Sequence, residues 1–351
     1  MKTIVLKVDP VNPEPEKIAL AAKKLREGGL VAFPTETVYG LGADALNPKA
    51  ILHLFEAKKR PPDNPPIVHI GDQGELYLLA REVPSEAKKL AEKFWPGPLT
   101  LVLKRSLSVP SITTCGLETI AIRMPKHEVA LALIRRSGTP IAAPSANLAG
   151  RPSPTRAEHV LQDLEGRIDL ILDAGPTPIG VESTVLDLTV QPPQILRPGG
   201  TPKEALEEVL GEVVFHPSVL SEKEPKIEKA KSPGMKYRHY APKAEMWVVE
   251  GEPQAVEEEL RRLSEELRKK GKKVGILATE ETLSGCSADA TCSLGRRGDL
   301  EEAARRLFGA LRELDTQGVE IILAEGMPLK GLGVALVNRL RKASGYRIVK
   351  V

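Results

Sequence analysis

The chain reads as an α/β protein, and three features predict this. Short apolar runs of strand length alternate with stretches of helical periodicity over most of its 351 residues. Polar and cationic residues collect repeatedly just after those apolar runs, where α/β folds build their sites. The composition changes after His216 and returns to strand–helix alternation at Glu245. The expected layout is a larger unit over 1–216, a linker over 217–243 and a smaller parallel α/β unit over 244–351.

In order, Thr3–Val8 alternates as a short strand, and Glu16–Glu27 is a helix with Ile18, Ala21, Ala22 and Leu25 on one face. Gly28-Gly29 ends that helix. Leu30-Val31-Ala32-Phe33 is a buried strand leading into Pro34-Thr35-Glu36-Thr37-Val38-Tyr39-Gly40-Leu41-Gly42. Pro34 fixes φ there, and Gly40 and Gly42 allow close backbone approach. A plain turn needs one Gly or an Asn-Gly pair, not four polar or ring-bearing residues together.

Pro48 starts a second helix, which the Pro-rich loop Arg60-Pro61-Pro62-Asp63-Asn64-Pro65-Pro66 stops. Strands are expected at Ile67–Ile70, Leu99–Lys104, Thr119–Arg123, Ile141–Ala143, Asp169–Asp173, Val185–Leu188, Ile195–Arg197 and Glu212–Phe215. Helices are expected at Ser85–Phe94, Glu128–Arg136 and Pro202–Leu210. Residues 217–243 hold Ser, Pro, Lys and Glu with little periodicity, as a linker does. Within them, Ser232-Pro233-Gly234-Met235-Lys236-Tyr237-Arg238-His239-Tyr240-Ala241-Pro242 is too rich in functional side chains for a passive spacer. Beyond Glu245, strands at Met246–Val249, Val274–Ala278 and Glu320–Ala324 alternate with helices at Val256–Lys270, Leu300–Leu314 and Val334–Ser344.

Fifty basic and 47 acidic residues leave a net charge of +3, without the basic excess of a nucleic-acid-coating protein. Abundant Lys, Arg, Glu and Pro with few Asn and Gln is a composition that heat-adapted proteins share. Cys115, Cys286 and Cys292 make no zinc spacing and read as ordinary thiols of a reducing cytoplasm, although Cys286 and Cys292 are near enough in sequence to bridge. No apolar run approaches the roughly 20 residues of a membrane span, so a cytoplasmic protein is expected. P-loop, dinucleotide, HExxH, CxxC and GxSxG signatures are absent from the sequence.

Lys58 and Arg60 fall at a helix end, where cations are ordinarily solvated and favoured by the dipole. The prolines that follow stiffen the loop, and a stiff loop aims its charges at an anion. Asn64 can add amide hydrogen bonds. Arg123 ends an apolar strand and requires either a partner or a cleft; a cleft is the favoured reading. Arg197 repeats that arrangement before Pro198-Gly199-Gly200. Ser145 and Asn147 admit two readings, a cap or Asx turn and a pair of donors to phosphate oxygens, and Ser183 and Thr184 admit the same two. His69, alone in an apolar strand, reads on spacing as a satisfied core residue. The sum is a polar, cation-bearing cleft without a metal cage or an activated nucleophile, suited to a nucleoside triphosphate and a small carboxylated substrate.

Pro34–Leu41, Lys58-x-Arg60, Ser145-Ala146-Asn147 and Ser183-Thr184-Val185 together resemble the YrdC-like L-threonylcarbamoyladenylate synthases. Pro233–Pro242 resembles the linker of the longer, two-domain subtype. The resemblance implies a YrdC-like twisted mixed sheet as the catalytic domain, a linker that acts as a lid, and a small Rossmann-like C-terminal domain. It implies synthesis of L-threonylcarbamoyl-AMP and pyrophosphate from L-threonine, bicarbonate and ATP. A separate complex, met at most transiently, then passes the threonylcarbamoyl group to adenosine 37 of ANN-decoding tRNAs.

Carried across position by position, the resemblance assigns Thr35, His69, Arg123, Ala143 and Ser183 to threonine, with Arg123 on its carboxylate. It assigns Lys58, Arg60, Asn64, Thr119, Ser145, Asn147, Ser153, Arg197 and Tyr237 to ATP, with Mg²⁺ held mainly by the phosphates and no metal-binding residues of the protein. Ala149 stands where the family commonly has Ser, and Pro66 where Leu is common. A double-stranded RNA-binding module without ATP turnover is the alternative that the fold suggests; the near-neutral charge and the lack of an aromatic platform count against it. A carbamoyltransferase-type relative is a third.

Overall fold

A computed structural model describes residues 2–225, 227, 230–235 and 239–351. Its strands are β1 (Ile4–Lys7), β2 (Val31–Phe33), β3 (Gly40–Asp44), β4 (Val68–His69), β5 (Leu99–Lys104), β6 (Thr119–Arg123), β7 (Ile141–Ala142), β8 (Leu170–Asp173), β9 (Thr184–Asp187), β10 (Gln194–Arg197), β11 (Val214–Phe215), β12 (Glu245–Glu250), β13 (Val274–Ala278), β14 (Ala290–Ser293), β15 (Ile321–Glu325) and β16 (Ile348–Lys350). The helices are α1 (Pro15–Arg26), α2 (Pro48–Ala57), α3 (Leu76–Leu79), α4 (Ser85–Phe94), α5 (Glu128–Ser137), α6 (Ala157–Leu164), α7 (Lys203–Leu210), α8 (Pro253–Lys269), α9 (Glu280–Ser284), α10 (Leu300–Thr316) and α11 (Gly333–Ala343).

β1–β11 form one mixed sheet in the order β1-β8-β2-β3-β7-β4-β6-β5-β9-β10-β11, and β12–β16 form a wholly parallel one in the order β14-β13-β15-β12-β16. The expected pair, a mixed sheet and a small parallel α/β unit, is therefore present. Strands buried on both faces read as continuous apolar runs, and β2 and β8 show why. Val31, Phe33, Leu170 and Leu172 point to a core with α1 and α5, whereas Ala32 and Ile171 point to the core under α2, α4, α6 and α7.

The sheet's second half has an apolar face whose cluster includes no helical residue among those described. There Val102, Ala121, Val185 and Leu196 pack against Ala230 and Met235 of the linker, both buried. The low periodicity of 217–243 thus marks a segment that serves as a cover, not a free spacer.

Elements that periodicity does not mark are short or glycine-rich: β3, α3, α6, α9, β14 and β16. β3 is hidden in sequence by Gly40 and Gly42, yet it pairs antiparallel with β2, Gly42 opposite Val31. The glycine requirement has a local cause. A Cβ on Gly42 would lie 2.8 Å from Ile141 Cγ2 and 2.9 Å from Phe33 Cε1, so the close approach is to neighbouring strands. Gly42→Ala is expected to cost about 1–3 kcal/mol of stability by overpacking, measured as a lower urea midpoint at unchanged slope; a midpoint equal to the parent's would show that β3 has slack.

Candidate active site

Strand ends and the loops that leave them build one cleft. After β2 the chain turns through Thr35–Tyr39 and returns as β3. Thr35 organises this turn: its hydroxyl donates to the Val38 carbonyl at 2.7 Å and accepts the Thr37 amide at 3.1 Å. Glu36 is buried and meets Arg123 Nη2 at 2.6 Å, an ionic contact without good hydrogen-bond alignment. Arg123 also donates to the Gly97 carbonyl at 3.2 Å and to the Thr37 hydroxyl at 3.0 Å. Partner and cleft, the two readings of an arginine ending β6, are both realised.

His69 lies opposite Arg123 on the adjacent strand. Its Nδ1 is 3.2 Å from the Ile67 carbonyl. Burial, and then the charge of Arg123, push its pKa down to about 3, so the ring is neutral. Ser183 begins the approach to β9, its hydroxyl 2.8 Å from that of Thr100. Arg197 at the end of β10 grips it with Nε and Nη2 on the Ser183 carbonyl at 3.1 and 3.0 Å, and with Nη2 on the hydroxyl at 3.1 Å. Glu182 is buried beside it. Burial alone would raise its carboxyl, but Arg339 and Arg197 outweigh that and hold it below the usual range.

Thr35, His69, Arg123, Ala143, Ser183, Arg60, Ser145 and Arg197 line one hollow, closed by Pro233, Gly234, His239 and Tyr240 of the linker. Four cations and hydroxyls from distant segments, Arg60, Arg123, Ser145 and Arg197, thus face each other as the sequence requires. The enclosed space is only about 50 Å³, far below the ~300 Å³ at which small-molecule pockets begin.

Other expected residues stand behind that wall. Lys58 is buried with its ammonium on the carbonyls of Ser145 and Asn147. Burial lowers its pKa well below the usual lysine value. Arg60 likewise donates to the Asn64 carbonyl. The side-chain amide of Asn64 and Oδ1 of Asn147 are buried with no partner among the described residues. Ser153 donates to Glu182 at 2.6 Å. Thr119 begins β6 four residues before Arg123, on the order of 13 Å away along an extended strand, and is not part of the wall. Tyr237 lies outside the described residues.

Thr37, Glu182, His239 and Tyr240 are wall residues to which spacing alone assigns no role. A larger hollow of about 680 Å³ lies between α6 and α10, lined by Arg156, Arg305, Arg306 and Arg312 among others, but it shares no residue with the cleft.

The family model of the Sua5, YciO and YrdC proteins, described as telomere recombination, matches residues 23–199. A second, described as threonylcarbamoyl-AMP synthase, C-terminal domain, matches residues 201–345. The threonylcarbamoyl-AMP synthase of Pyrococcus abyssi is 55% identical over 95% of this chain and 96% of its own length. The chain belongs to the threonylcarbamoyl-AMP synthase family. The synthase of Bacillus subtilis is 51% identical, with 97% of each chain covered. The crystal structure of P. abyssi Sua5 complexed with L-threonine superposes with a TM-score of 0.95 at 54% identity, covering 99% of this chain and 100% of that one. The two-domain resemblance read from the motifs is therefore borne out, and the protein is an enzyme of this family.

Three histidines are kept neutral by burial: His69 and His239 titrate near 3 and His159 near 4. Their folded pKa values lie below the ordinary 6.5, so between about pH 6.5 and 4 the unfolded chain takes up protons that the folded chain refuses. Stability is expected to fall with decreasing pH across that window, by up to ~1.4 kcal/mol per pH unit for each such histidine. Urea titrations at stepped pH measure this, and His69→Leu should flatten the profile by one proton's share. A parent profile that is level from pH 6.5 to 4 would rule the mechanism out.

Proposed function

We propose that the cleft joins L-threonine, bicarbonate and ATP into L-threonylcarbamoyl-AMP, releasing pyrophosphate, and so supplies the activated group for adenosine 37 of ANN-decoding tRNAs. The observation that carries this reading is the meeting of Arg60, Arg123, Ser145 and Arg197 in one hollow with Thr35, His69 and Ser183. Arg123 takes the threonine carboxylate, and Thr35, His69, Ala143 and Ser183 surround the rest of the amino acid. The relative complexed with L-threonine supports threonine as a substrate. Arg60, Ser145 and Arg197 face the triphosphate. Lys58 acts from behind by fixing the Ser145–Asn147 carbonyls, and the unpartnered amide of Asn64 is available to the nucleotide. Asn147, Ser153, Thr119 and Tyr237 complete the proposed ATP set.

The threonine amine, once deprotonated, condenses with bicarbonate to a carbamate and water. A carbamate oxygen then attacks the α-phosphorus and pyrophosphate leaves. His69, with a pKa near 3, is too weak a base to take the ammonium proton, so substrate phosphate or water is the proposed acceptor. Glu36 and Glu182, the carboxylates at the cleft, are turned to Arg123 and Arg339. That donor set fits a Mg²⁺ carried in by the nucleotide, where it would neutralise charge on the phosphates. No group of metal-ligating side chains occurs among the described residues.

A hollow of about 50 Å³ is too small for ATP, which suits a linker that lifts for entry and returns to exclude water from a labile carbamate and acyl adenylate. The protein then meets the complex that transfers the threonylcarbamoyl group only transiently.

Pyrophosphate release is expected only when ATP, threonine and bicarbonate are all present; release that persists without threonine or without bicarbonate would overturn the reaction. Arg123→Lys keeps a charge beside Glu36 but loses the fork, and should raise the KM for threonine roughly 10- to 100-fold. Tyr237→Ala should slow adenylate formation, and steady-state kinetics equal to the parent's would refute the lid.

A further inference from the structure

Arg339 heads the largest fully buried side chains among the described residues. It sits on α11, in the C-terminal half, yet its donors serve the cleft. Nε donates to Glu182 Oε2 at 2.8 Å, Nη2 to the Pro198 carbonyl at 2.9 Å and Nη1 to Asn338 Oδ1 at 3.1 Å. Its guanidinium lies 5.1 Å from the centre of the Tyr240 ring. One turn on, Lys342 donates to the Gly234 carbonyl of the linker.

These contacts gather three separate segments. Glu182 is the neighbour of Ser183, Pro198 is the neighbour of Arg197, and Tyr240 belongs to the linker. The first two segments already touch without slack. The Gly200 amide donates to the Glu182 carbonyl at 3.1 Å. A Cβ on Gly199 would lie 2.2 Å from that same carbonyl oxygen. Moving Glu182 or Pro198 therefore moves Ser183 and Arg197. A fully buried ion pair gives little net stability, so its value lies in geometry. A planar fork of donors at fixed angles holds several acceptors in one arrangement, as a lysine cannot.

Arg339 is not the sole tie between the two halves. Arg312 of α10 supplies a second buried bond between them, to Asp163 at 2.8 Å and the Pro152 carbonyl at 2.5 Å, away from the cleft wall.

We infer that Arg339 is a positioning residue for adenylate formation: through Glu182 and the Pro198 carbonyl it sets Ser183 and Arg197, so that the C-terminal half completes the active site. This rests on the synthase reaction proposed above. The test uses the full chain with Arg339→Met, Arg339→Lys and, for comparison, Leu260→Ala, which opens a core of α8, β12, β13 and β15 that has no cleft residue. Pyrophosphate release at varied ATP and threonine is read beside the thermal midpoint.

Arg339→Met is expected to lose roughly 100-fold in kcat/KM, the scale of a small misplacement of reacting groups. Arg339→Lys should keep a near-parental midpoint and recover only part of the rate. Leu260→Ala should lower the midpoint with kcat and KM close to the parent's. Parental kinetics in Arg339→Lys, or a loss in Arg339→Met no greater than that of Leu260→Ala at equal midpoint shift, would overturn the inference. A parent chain that releases no pyrophosphate removes the reaction and the inference together, whereas an active parent unaffected at Arg339 removes the inference alone.

Discussion

The buried contact between Glu36 and Arg123 ties the turn after β2 to the middle of the large sheet. An unpaired charge at either position would be strongly unfavourable in so dry a setting, so the turn and the strand end constrain one another. Other bonds depend on that placement. The Glu36 carbonyl receives the Ile179 amide at 2.9 Å, and the Thr37 carbonyl receives the Gly180 amide at 3.0 Å. Those bonds fix the approach to Val181, Glu182 and Ser183. The position of one carboxylate is thereby passed to the opposite wall of the cleft.

Charge in the cleft is deliberately unequal. Arg60, Arg123 and Arg197 line it with Glu182, and Lys58 and Glu36 stand just behind. Histidine adds no charge, because burial keeps His69 and His239 neutral. Such a surplus suits an anionic ligand, and a preorganised surplus in a water-poor site acts far more strongly than the same charges on the surface. The protein's overall charge of +3 gives no hint of it.

Much of this was legible in the sequence because α/β strands announce themselves. A run such as Thr119–Arg123 can end in a cation only if something receives it, and Arg123 and Arg197 were readable for that reason. His69 was not: a neutral buried imidazole and a substrate-facing one leave the same trace in an apolar strand. Glu182 was hidden because an acid before Ser-Thr resembles an ordinary strand lead-in. Lys58 stands out in the sequence, but its donors go to the Ser145 and Asn147 carbonyls, which only tertiary structure reveals. The hardest case is α11. Polar residues on a helix ordinarily face water, yet Asn338, Arg339, Arg341 and Lys342 are all buried. Their partners, Val219, Glu182, Glu250 and Gly234, come from other parts of the chain.

The apolar core around α10 and α11 is not confined to the C-terminal half, for Val38, Val181 and Tyr240 are part of it. Val38 belongs to the very turn that carries Thr35 and Glu36. A chain cut at the boundary suggested by composition would leave Val38 and Val181 against water and loosen that turn. The seam between the two sheets is therefore a poor place to divide the molecule.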